Sequence, residues 1–128
     1  MIDAERIKAL SSEKKYDEAI PLLLEWVEET EREDKVNRCG VAPYPYHELA
    51  KIYTNLKTPE LAKGILERYF GQRMARGRQK DKMAERYEQL CEKHGYVIPV
   101  DVGVVLKMIK SGTMDDIILK TALSRYKP

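Results

Sequence analysis

Tyr46-His47-Glu48-Leu49-Ala50-Lys51-Ile52-Tyr53, then Thr58-Pro59-Glu60-Leu61-Ala62 and Ile65-Leu66-Glu67-Arg68-Tyr69-Phe70, is the stretch that decides the fold. Tyr46, Leu49, Ala50 and Tyr53 recur at i, i+3, i+4 and i+7, the spacing of one apolar face of a helix. Thr58-Pro59-Glu60 reads as a helix start. Thr58 can cap, Pro59 stands where a helix has no use for an N–H, and Glu60 meets the positive end of the dipole. Leu61, Ala62, Ile65, Leu66, Tyr69 and Phe70 predict the buried face of a second helix. Gly64 inside that helix costs about 1 kcal/mol against alanine, and its presence predicts a close helix contact. The stretch is a helical hairpin.

Toward the N-terminus the pattern repeats. Ala4, Ile7 and Leu10 lie at helical spacing, and residues 11–15 form a polar break. Ala19, Leu22, Leu23, Trp26 and Val27 then make another apolar helix face. Pro21 within it predicts a later start or a bend, because it lacks a backbone donor. Residues 36–45, with Gly40, Pro43 and Pro45, read as a loop. Ala19 and Ala62 lie 43 residues apart. Leu23 and Leu66 follow them at i+4, and Trp26 and Tyr69 at i+7. Self-similarity of this kind marks stacked helical hairpins.

In these residues the chain resembles the tetratricopeptide repeat family. The better copy is 46–69, with Tyr46, Leu49, Ala50, Tyr53, Ala62 and Leu66 at the family's positions for large and small side chains. The first copy keeps Leu10, Tyr16, Ala19 and Leu23 but has Arg6 and Ile7 where the family has a large and a small residue. The period exceeds the usual length of about 34, and Trp26 and Tyr69 occupy a position usually small. The resemblance implies an all-α fold of short α-solenoid type, with TPR-like hairpins over residues 1–95; residues 96–128 read by their own periodicity as a C-terminal helical hairpin that packs on or caps them. The resemblance also implies binding of a protein or peptide in a groove lined by first helices. Carried over residue by residue, the groove positions are Tyr44, His47, Lys51 and Asn55, with Lys8 in the first copy. A groove with Lys51 and Asn55 suits an acidic peptide or a terminal carboxylate.

Toward the C-terminus, residues 71–81 are basic with two glycines, and Met83, Tyr87, Leu90 and Cys91 predict one further helix closing at Gly95. Residues 96–100 read as a short strand or linker. Val104, Val105, Met108 and Ile109, then Met114, Ile117, Ile118 and Ala122, predict two more helices around Ser111-Gly112. The predicted core includes Leu23, Trp26, Leu49, Ala50, Tyr53, Ala62, Ile65, Leu66, Tyr69 and Tyr87.

The chain has 128 residues, enough for one domain with a core. Two cysteines give no disulfide framework, and the expected compartment is a reducing cytoplasm. No apolar run is long enough for a membrane span, and the N-terminus turns polar at once. A formal net charge of +2 conceals an asymmetry, with 11 acids against 6 bases in residues 1–35 and 9 bases against 5 acids in residues 61–95. Within the latter, Arg68, Arg73, Arg76, Arg78, Lys80, Lys82 and Arg86 face only Asp81 and Glu85 in sequence. This segment offers either phosphate contacts to nucleic acid, helped by a weakly helix-turn-helix-like tail, or pairing with acidic helices of this or a second copy.

Catalytic motifs are lacking. Cys91-x-x-His94 has a metal-like spacing, but Cys39 and His47 do not complete a recognised set. Gly71 and Gly77 lack the lysine and hydroxyl of a phosphate loop. No cofactor, metal or enzymatic activity is expected. The reading is a protein-binding adaptor or regulator, able to form homo-oligomers, with nucleic-acid binding as the alternative.

Overall fold

The computed structural model describes residues 2–75 and 77–124. They form seven α-helices: α1 (Ala4–Ser12), α2 (Tyr16–Asn37), α3 (Pro43–Asn55), α4 (Pro59–Phe70), α5 (Gln79–His94), α6 (Val100–Lys110) and α7 (Thr113–Ser124). Each helix packs on its successor, α3 also packs on α5, and α4 on α6. No described helix is long and apolar enough to cross a membrane.

Local chemistry sets the boundaries. The Asp3 side chain accepts the Arg6 N–H at 3.1 Å and caps α1. α2 begins at Tyr16 and continues past Pro21 to Asn37, so the proline neither delays nor ends it. The loop expected at 36–45 is only residues 38–42. Pro43 and Pro45 belong to the first turn of α3, where the missing N–H groups would have had no helical partner. α4 begins at Pro59, as Thr58-Pro59 predicts, but Thr58 does not cap it through its side chain: the hydroxyl donates back to the Tyr53 carbonyl at 3.0 Å. Gly95, with φ +67, closes α5. Residues 96–99 pair with no strand and lead into α6.

The core is a continuous aromatic and aliphatic cluster. Leu23, Leu49, Ala50, Ala62, Leu66, Tyr69 and Tyr87 are buried. Tyr46, Tyr69, Phe70 and Tyr87 follow one another with ring centroids 5.3, 5.5 and 5.4 Å apart, a row of tilted and edge-on contacts. Tyr69, at a position the resemblance would make small, is the middle of that row. Trp26 and Tyr53, expected in the core, are half-buried at its margin. Leu61 is 53% exposed and is not a core residue. Gly64 is exposed, and a Cβ built on it would meet nothing within 4 Å, so no close helix contact explains it.

Polar groups bind the elements as well. Glu31 of α2 accepts from the Tyr46 hydroxyl at 2.7 Å and from Arg68 Nε and Nη2 at 2.8 and 2.9 Å. Burial pushes the Glu31 carboxyl up, but the hydrogen bonds from Arg68 and Tyr46 outweigh it and hold the group below its ordinary range. One layer on, Glu67 of α4 accepts from Tyr87 at 2.6 Å and from Lys63 at 2.7 Å. The segment after α2 is tied to the segment after α4. Val41 donates to the Arg73 carbonyl at 2.9 Å, and Val41 and Met74 form a parallel bridge.

Candidate functional site

The first turns of α3 and α5 define a recess of about 320 Å³ lined by Pro43, Tyr44, His47, Glu48, Lys51, Gln79 and Lys82. Its floor is set by aromatic packing. The Tyr44 ring lies 5.2 Å from Trp26 of α2, and Lys8 Nζ of α1 stands 5.3 Å from the centroid of the Tyr44 ring. Burial and the nearby Glu48 keep the Tyr44 phenol protonated to higher pH than usual.

His47 is the pivot. Arg86 Nε donates to His47 Nε2 at 3.2 Å, which requires that nitrogen to be unprotonated. Burial lowers the imidazole's proton affinity, Arg86 and Lys51 lower it further, and the Gln79 side chain and Glu48 only partly oppose them. His47 is therefore neutral at pH 7, surrounded by cations. Lys51 Nζ lies 3.3 Å from Glu48, which also accepts a hydrogen bond from Ser11. Lys82 has no ion-pair partner among the described residues. Four cations, Lys8, Lys51, Lys82 and Arg86, thus share this region with one carboxylate, Glu48.

The two candidate sites of the sequence divide differently in three dimensions. Lys8, Tyr44, His47 and Lys51 gather around the recess. Asn55 does not: its amide donates to the Tyr16 hydroxyl at 3.2 Å, against the start of α2. Of the basic segment, Lys82 and Arg86 turn toward α3 and join the recess. Arg68 is held by Glu31, and Arg73 lies 3.5 Å from Asp34 of α2. Lys80 is no surface charge at all. Its side chain is 1% exposed and bonds the Gly77 carbonyl and Asp115, each at 2.5 Å. Arg78 is exposed, and Arg76 lies outside the described residues, as do Arg125 and Tyr126 after the α6–α7 turn.

Gln79 and Glu48 are the site residues that sequence reasoning missed. Gln79, Lys82 and Arg86 fall at i, i+3 and i+7, one face of α5, but that face is readable only once the start of α5 is known. Beyond α5 a second recess, of about 640 Å³, is lined by Gly77, Arg78, Asp81, Lys82, Glu85, Asp115 and Asp116. Lys82 belongs to both.

Cys91 is buried with its thiol pushed up mainly by burial, Cys39 is an exposed free thiol, and His94 stacks on Tyr96. Among the described residues no group of three or more His, Cys, Asp or Glu is placed to hold a metal ion. No protein-family model, curated protein or solved structure matches the chain.

Proposed function

We propose that this chain is a non-enzymatic protein-interaction module, an adaptor or regulator of short TPR-like solenoid form. It takes an acidic peptide segment or terminal carboxylate in the recess between α3 and α5. The observation that carries this reading is the convergence of Lys51, Lys82 and Arg86 on a neutral, half-buried His47. A carboxylate entering there gains charge-assisted hydrogen bonds from cations already in place, over an aromatic floor that leaves the Tyr44 hydroxyl as a further donor. The fates of Arg68, Arg73 and Lys80 favour a protein partner over nucleic acid, because carboxylates of the same chain already hold them.

Fluorescence anisotropy of a labelled glutamate-rich peptide tests this. Wild type binds, and the affinity falls with added salt. Lys51→Ala and Lys82→Ala each weaken binding by about two- to fivefold, the worth of a partly exposed ion pair, while Asn55→Ala leaves it unchanged. No peptide affinity at low salt, or tighter binding to an oligonucleotide through Arg78 and Lys82, would overturn the reading.

A further inference from the structure

The two recesses meet at Lys82, on the ridge of α5. One face of α5, with Gln79, Lys82 and Arg86, looks toward α3. The adjacent face, with Arg78, Asp81 and Glu85, looks toward α7. The groove therefore does not end with the hairpins but continues across the start of α7. Its charge changes sign on the way. Around the first recess four cations face Glu48. Around the second, Lys80 neutralises Asp115, and Asp81, Glu85 and Asp116 outnumber Arg78 and Lys82.

Among the described side chains, one of those four carboxylates is seen in an ion pair. Asp115 pairs with the buried Lys80. That contact fixes the N-terminal turn of α7 against α5, because a buried ammonium without a counter-charge is costly. Asp81 and Glu85 have no ion-pair partner among the described side chains, although Glu85 accepts from Gln89 at 3.3 Å, and Asp116 lines the recess beside them.

Resting on the function proposed above, we infer that the groove takes an extended segment of mixed charge. An acidic block lies in the α3–α5 recess, and an adjoining basic block lies in the α5–α7 recess. Lys82 stands at the junction. A partner of one sign throughout meets repulsion in one of the two recesses, so charge order along the segment becomes the basis of selection.

The test titrates the full chain with peptides of equal length: acidic–basic, basic–acidic, and acidic followed by an uncharged block. One of the two mixed orders should bind about three- to tenfold tighter than the acidic–uncharged peptide, as expected for two or three partly exposed ion pairs. Glu85→Gln with Asp116→Asn should erase that advantage and leave the acidic–uncharged affinity unlowered. Both substitutions are isosteric, and circular dichroism checks that helix content is retained. Equal affinity for mixed and acidic–uncharged peptides overturns the inference while leaving the proposed function standing. Failure of every peptide to bind removes both.

Discussion

Two glycines show how differently the same residue type is used. Gly40 has φ +84, its N–H donates to Asp34 Oδ1 at 2.7 Å, and a Cβ there would stand 2.8 Å from the backbone nitrogen of Ala75. Both backbone conformation and space forbid a side chain, and the obstacle is main chain, which cannot step aside. Gly40→Ala should cost about 1–3 kcal/mol or more. Gly64 stands exposed within α4 with open space where its Cβ would be, so Gly64→Ala should stabilise by about 0.5–1 kcal/mol. Urea melts of the two variants, of opposite sign, check the pair. The sequence shows a glycine in each place, but its neighbours along the chain do not reveal which is obligatory. For Gly40 the answer lies in Ala75, brought alongside by the fold.

At the scale of elements, Glu31 joins three helices, since Tyr46 belongs to α3 and Arg68 to α4. Glu31→Ala strands a buried phenol and an arginine and should cost about 1–3 kcal/mol, whereas Tyr46→Phe, which leaves the Glu31–Arg68 pair intact, should cost about 1 kcal/mol. A double-mutant cycle should return a coupling of about 0.5–1 kcal/mol or more between Tyr46 and Glu31; additive losses would show that aromatic packing alone seats α3. The helices themselves were largely legible, because the apolar spacing in α1 to α4 is strong and Thr58-Pro59 marks a boundary. The loop at 36–45 was overread because proline serves both turns and helix starts. That the C-terminal hairpin packs on the preceding helices was expected, but which of them α6 meets, α4 as well as α5, was not readable across residues 96–99. The candidate site was half legible. Tyr44, His47 and Lys51 are positions that the family resemblance marks, but the contribution of α5 depends on which of its faces meets α3. Arg68 and Arg73 read as a basic surface because the acids that engage them lie far back in the chain.

For the whole molecule, the proposed binding mode makes His47 a link between folding and binding, with opposite signs. Its folded-state proton affinity is lowered, so the unfolded chain takes up the proton first. This contribution to stability is present above about pH 6.5 and is lost as pH falls through the lower folded value. An acidic ligand in the recess favours the protonated imidazole, so peptide affinity should rise over the same window. Melting temperatures with and without peptide between about pH 7.5 and 5.5 should show the free protein losing stability while the peptide's stabilising increment grows. His47→Gln should flatten both trends, and persistence of either in the variant would assign it to another group. The parallel bridge of Val41 with Met74 has a consequence of another kind. The chain enters the α3–α4 hairpin and leaves it side by side and heading the same way. A segment with that geometry can be copied in tandem or cut out with the severed ends already aligned for rejoining.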